Sequence, residues 1–175
     1  MDILPTLLDI LLVAFLIFMN GFFVAAEFCC VKIRTSRLET LIAEGSSRAG
    51  YAKQLTEHLD YSLSVTQFGI TLASLGLGWV GEPAIATLIL PVTHVFGLPD
   101  EVGHTIALAI AFTIIPSLHI VLGELTPKSM AIANVEDIML AIAFPMVLFG
   151  RVMRPFVWIL NTVANAISRK FGYDV

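Results

Sequence analysis

The chain has 175 residues, of which 57% are hydrophobic and 14% charged, and its mean hydropathy is +0.88. These values exclude an ordinary soluble domain and indicate an integral membrane protein. The formal net charge of −4 says little about partners, because the charges are unevenly distributed and their placement sets membrane orientation; no nucleic-acid partner is expected.

About 20 consecutive apolar residues cross a bilayer, and three stretches meet or approach that length: residues 5–31, 61–80 and 104–125. The first apolar run follows acidic Asp2 and is too long for a cleavable signal, so it reads as a retained span. Cys29 and Cys30, adjacent at its end, are expected to pack as small apolar side chains without a disulfide. Residues 35–60 alternate charged and apolar positions at helical spacing, with Gly45-Ser46-Ser47 as a break, which predicts two short cytoplasmic helices. After the second span, residues 83–98 are apolar but interrupted by Pro91, and predict a short re-entrant or interfacial hairpin instead of a fourth span. The third span follows. From 136 to 171, Arg151, Arg154, Trp158, Asn161, Asn165 and Arg169 form a polar stripe on an otherwise apolar helix, the pattern of an amphipathic belt along the inner leaflet, bent at Pro145 and Pro155.

The predicted fold is therefore an all-α integral membrane protein. Residues 1–135 form a three-span core with a cytoplasmic helix pair, and residues 136–175, ending at Val175, form a juxtamembrane belt. Lys32, Arg34, Arg37, Arg48 and Lys53 crowd the segment after the first span, whereas residues 54–127 hold no Lys or Arg. The positive-inside rule then places the first loop and the C-terminus in the cytoplasm and the N-terminus outside the cell membrane.

Glu124 ends a long apolar run, and a carboxylate at membrane depth marks a functional site by default. In Gly123-Glu124-Leu125-Thr126-Pro127-Lys128, Pro127 lacks the amide hydrogen that would bond the Gly123 carbonyl, so a free carbonyl is expected beside a carboxylate. Such oxygens suit Mg²⁺, Ca²⁺ or Na⁺. The alternative for Glu124 is an interhelical salt bridge or a protonated buried acid. On the first span Asn20, Val24 and Glu27 share one face. Asn20 is either a ligand or the donor of an interhelical hydrogen bond, and Glu27 a structural or gating residue. On the second span Gly69, Ala73 and Gly76 predict close helix packing, while the mid-span Ser74 hydroxyl is a candidate ligand. His119, a lone histidine, is expected as a packing residue. No H-E-x-x-H motif, aspartate pair or depth-matched Ser/His pair supports an enzyme.

Asn20-Gly21-Phe22-Phe23 with Ala26-Glu27, Gln67-x-Gly69-x-x-Leu72-x-Ser74, and Gly123-Glu124-Leu125-x-Pro127-Lys128 together resemble the transmembrane domain of the CorC and cyclin-M (CNNM) magnesium transporters. The resemblance covers essentially the whole chain, and Gly-Glu-x-x-Pro-Lys is its most specific element. It implies a homodimer in the bilayer, nucleotide-binding regulatory domains beyond residue 175, and Mg²⁺ efflux with Na⁺ as a possible coupling ion. It also implies an ion site at Asn20, Val24, Ser74, Gly123 and Glu124. Many relatives carry serine at the position of Val24, and asparagine or serine at that of Ile70, so here those two positions could offer only backbone carbonyls. The alternative function is a membrane-embedded Mg²⁺ sensor or regulatory subunit that does not itself transport.

Overall fold

Runs of Leu, Ile, Val, Ala and Phe give helices far longer than the globular average, several of which continue through proline. The structure, a computed structural model, describes residues 3–172, and among them it contains helices and turns but no strand. Asp2 and Val175 lie outside the described residues. Helix α1 spans Ile3–Lys32, α2 Thr35–Ala43, α3 Ser47–Glu57, α4 Leu59–Val95 and α5 Asp100–Leu118. A π-helical segment, His119–Leu125, joins α5 to α6, Thr126–Ala133, and α7 runs over Val135–Lys170. Three helical stretches are long and apolar enough to cross a membrane: Leu4–Lys32, Leu59–Val95 and Asp100–Ala133. They contain the three predicted spans.

One expectation is corrected. The predicted hairpin over 83–98 is largely the continuation of α4, which passes through Pro83 and Pro91 and stops only at Val95. Proline removes one backbone bond per site, and helices in apolar surroundings tolerate that loss when neighbouring groups compensate. The carbonyls left without an amide donor in α4 are those of Trp79 and Thr87, four residues before the two prolines. The chain reverses after Val95, where Gly97 adopts a φ of +67°, the left-handed conformation that favours glycine.

The backbone divides into two compact units, each assembled from two separated segments. In the first, residues up to Val24 pack with Gly69–Ser129. Val13 and Ile17 of α1, Leu77 and Ala84 of α4, and Ile115 of α5 form its core. Small residues permit close approach, as the Gly69-Ala73-Gly76 stripe predicts: a Cβ on Gly69 would lie 2.6 Å from the Phe23 ring, and one on Gly76 would lie 3.2 Å from Leu16. Gly21 faces a more rigid neighbour, with a Cβ 2.8 Å from Pro127 Cγ. Gly21→Ala should therefore destabilise this unit by about 1–3 kcal/mol, the usual cost of overpacking, read as a lowered melting temperature in detergent. Outward, Leu8, Leu11, Phe15, Leu75, Trp79 and Phe112 are all exposed, an apolar surface that a bilayer would cover.

The second unit combines Ala25–Phe68 with the chain from Met130 onward. The predicted helix pair is present as α2 and α3. Gly45 turns at φ +90° between them, and Ser46 caps α3 by accepting from the Ala49 amide. Cys29 and Cys30 are buried free thiols. Helix α7 buries Met139, Ile142, Ala143, Met146 and Gly150, positions three and four apart. Polar bonds tie it down: the Tyr61 hydroxyl donates to the Gly150 carbonyl at 2.6 Å, and Lys32 Nζ donates to the Ile132 carbonyl at 3.1 Å.

Arg37 and Glu136 form a two-pronged pair, Nε to Oε2 at 2.8 Å and Nη2 to Oε1 at 2.9 Å. That hydrogen bond holds the Glu136 carboxyl below its ordinary value of 4.5. A carboxylate lowered on folding adds stability above its unfolded pKa and loses it as the pH falls through the folded one. Glu136→Gln should thus lower the melting temperature at neutral pH, by a margin that shrinks with salt and vanishes on acidification below the ordinary carboxylate range. A difference that persisted unchanged in acid would assign the effect to packing instead of charge.

Candidate cation site

Pro116 and Pro127 each withhold an amide hydrogen, and between them the third span loosens from α to π winding over His119–Leu125. At its end the Thr126 amide bonds the Val121 carbonyl, five residues back. The consequence is geometric. Residues five apart on an α-helix point roughly 140° away from each other, whereas the i→i+5 repeat stacks them. His119 and Glu124 are five apart, and His119 Nε2 lies 3.7 Å from Glu124 Oε1.

From that pair a polar chain continues through the first unit. His119 Nε2 is 3.3 Å from the Ser74 hydroxyl, which donates to Asn20 Oδ1 at 3.2 Å, and Asn20 Nδ2 donates to the Gly123 carbonyl at 2.9 Å. Ser74 has one proton and directs it to Asn20, so the contact with His119 is completed only if the imidazole carries hydrogen on Nε2. Asn20 is fully buried, whereas the Glu124 side chain is 46% exposed.

Four of the five candidate residues, Asn20, Ser74, Gly123 and Glu124, are thus brought together by α1, α4 and the π-helical segment. Val24 is buried one turn beyond Asn20 and contributes no side-chain oxygen. Three expectations change. The Gly123 carbonyl is not free, because the Asn20 amide occupies it. His119 is more than a packing residue, since it links Ser74 to Glu124. The expected lack of a Ser/His pair at matching depth is corrected by the same contact, Ser74 to His119 at 3.3 Å. The spacing of His119 to Glu124 excludes their contact on an α-helix, and only the two flanking prolines hinted at another winding. Glu27 lies outside this unit and is partly buried.

The arrangement offers an amide oxygen, a hydroxyl, a carbonyl and a carboxylate, the donor types of a hard cation. Among the described residues no three His, Cys, Asp or Glu side chains assemble, so the chemistry is unlike that of a zinc centre. The polar chain also has a mechanical role. In a double-mutant cycle, Asn20→Ala and Ser74→Ala should be coupled by about 0.6 kcal/mol and at most about 1.7, as for other hydrogen bonds between membrane helices. Zero coupling in unfolding experiments would mean that the bond contributes nothing to stability.

Comparison with known proteins places the chain in a family. Residues 11–175 match the family described as the cyclin M transmembrane N-terminal domain. The chain belongs to that family. Similar curated proteins include the UPF0053 proteins YhdT and YhdP of Bacillus subtilis, 45% identical over 94% of this chain and 42% identical over 96% of it. Rv1841c of Mycobacterium tuberculosis, an uncharacterized protein, is 38% identical over 98% of the chain. The cyclin M domain described here spans 36%, 38% and 48% of those three proteins. Membership of the cyclin M family and three long apolar helices make it a multi-pass membrane protein.

Proposed function

We propose that this domain binds Mg²⁺ between its spans and moves it across the cell membrane, as the transport portion of an efflux system in which Na⁺ can serve as the coupling ion. One observation carries the proposal: a carboxylate within a membrane helix, beside a π-helical turn, at the end of a polar chain that runs through His119, Ser74 and Asn20 to the Gly123 carbonyl. Glu124 supplies the charge, and Gly123, Ser74 and Asn20 supply neutral oxygens around it. Val24 adds at most its backbone carbonyl. Mg²⁺ gives up water reluctantly, and closely spaced protein oxygens offset that cost.

In this proposal the domain is a transporter and not an enzyme, a homodimer in the bilayer, with the N-terminus outside and the C-terminus cytoplasmic. The lysine and arginine distribution supports that orientation. Helix α7 serves as the inner-leaflet belt that connects the spans to regulatory domains further along the chain.

Mg²⁺ binding and Mg²⁺ flux measured on the same proteoliposomes, with and without a Na⁺ gradient, test the proposal. Wild-type protein should show both, and Glu124→Ala and Ser74→Ala should weaken both together. The sensor alternative uses the same oxygens of Asn20, Ser74, Gly123 and Glu124, so flux is the measurement that separates it from a transporter. Binding without flux under every gradient would favour that alternative.

A further inference from the structure

Away from the cation site, the second unit contains a cavity of about 330 Å³ where α3 gives way to α4 beneath α7. Gln54, His58 and Tyr61 line it from the α3–α4 junction, and Arg151 and Arg154 from α7, over a floor that includes Val65 and Met146. No Asp or Glu lines it. Two of its hydroxyls are already committed as donors, Tyr61 to the Gly150 carbonyl at 2.6 Å and Ser62 to the Leu55 carbonyl at 2.8 Å. Two basic side chains elsewhere in the unit are neutralised: Arg37 pairs with Glu136, and Lys53 with Glu39 and Glu57. Arg151 and Arg154 have no ion-pair partner among the described residues, and three-residue spacing puts them side by side on their helix.

A concave site with two arginine forks and no carboxylate has the chemistry of a phosphate receptor. What lies beside it identifies the phosphate's carrier. Phe144, Leu148, Val152 and Phe156, successive positions four apart on α7, are all exposed, and so are Ile159 and Val163 beyond them. This is an apolar stripe that water would not favour and acyl chains would cover. Trp158, also exposed, stands one turn past Arg154, a placement common for aromatic residues at a membrane interface.

We propose that this cavity binds the phosphate of an anionic phospholipid headgroup, with Arg151 and Arg154 as its forks, the Gln54 amide and His58 as further polar contacts, and the acyl chains lying along the α7 stripe. The site would make the seating of α7 against α3 and α4 depend on lipid composition. It does not rest on the assignment of the cation site.

Trp158 provides the readout. The chain has two tryptophans, so Trp79→Phe leaves Trp158 alone. In that background, full-length chain is reconstituted with brominated phosphatidylglycerol or brominated phosphatidylcholine, and quenching of Trp158 gives the relative affinity of the two lipids. The expected result is a preference for phosphatidylglycerol of roughly tenfold, lost in Arg151→Gln/Arg154→Gln and unchanged in Arg169→Gln, whose guanidinium bonds its own helix at Asn165. Arg151→Lys/Arg154→Lys should retain part of it. That pair also keeps the test decisive if the glutamine pair fails to reconstitute, because lysines keep the charge but lose the fork. No preference in the wild type, or a preference untouched by both pairs, would overturn the proposal. In a second arm, millimolar inorganic phosphate is added to protein in phosphatidylcholine alone. Stabilisation of the wild type and not of the glutamine pair would make the occupant a soluble phosphate and overturn the lipid assignment.

Discussion

Glu124→Gln is expected to reduce Mg²⁺ affinity by at least about 100-fold, roughly 2.7 kcal/mol, while leaving helix content unchanged. Glutamine preserves the shape and one oxygen but removes the only full negative charge in the polar chain, and a divalent ion that has shed water needs that charge most. Glu124→Asp keeps the charge on a side chain one methylene shorter, so its affinity should fall between the two. Isothermal titration in detergent measures the series. Wild-type affinity in the glutamine variant would reduce Glu124 to a packing acid, and the site would have to be sought elsewhere.

The second large effect is predicted at a residue with no side chain. A Cβ on Gly123 would lie 3.0 Å from His119 Cδ2 and 3.1 Å from Asn20 Nδ2. Neither neighbour moves away easily: Asn20 is fully buried and bonded on both sides, and the His119 ring is held toward Ser74 and Glu124. Gly123→Ala should therefore cost about 1–3 kcal/mol of stability and lower Mg²⁺ affinity by about 10- to 100-fold through displaced donors. Gly78→Ala is the matched control. A Cβ there meets nothing within 4 Å, and alanine favours a helix interior by about 0.5–1 kcal/mol, so that variant should melt no lower than wild type. Equal melting of the two variants would show that the region around Gly123 yields more readily than its packing indicates.

Hydrophobic length and turn residues carried much of the fold. The expected helix at 136–171 and the observed Val135–Lys170 differ by one residue at each end, because Asn134 and Gly172 flank a continuous apolar pattern. The pair at 35–60 is legible for a similar reason, since Gly45 fits a left-handed turn that few other residues adopt readily. Proline misled at 83–98, where a residue that breaks helices in water is accommodated within α4. For the site, Asn20, Ser74, Gly123 and Glu124 could be picked out as polar or small residues out of keeping with their surroundings. His119 could not, because its contact with Glu124 requires a winding that α-helical periodicity does not represent. The division into two units was equally hidden. The contacts that define it join residues about a hundred positions apart, beyond the reach of any local pattern.

That separation governs the order in which the protein can be made. Asn20 lies 103 residues before the carbonyl that accepts its amide hydrogen, so its span emerges from the ribosome long before its acceptor exists. At about 5–20 residues per second, the wait is on the order of 5–20 s. During that interval α1 must reside in the membrane, or shielded by insertion machinery, with a polar amide unsatisfied. The last span to arrive is therefore the one that completes the first.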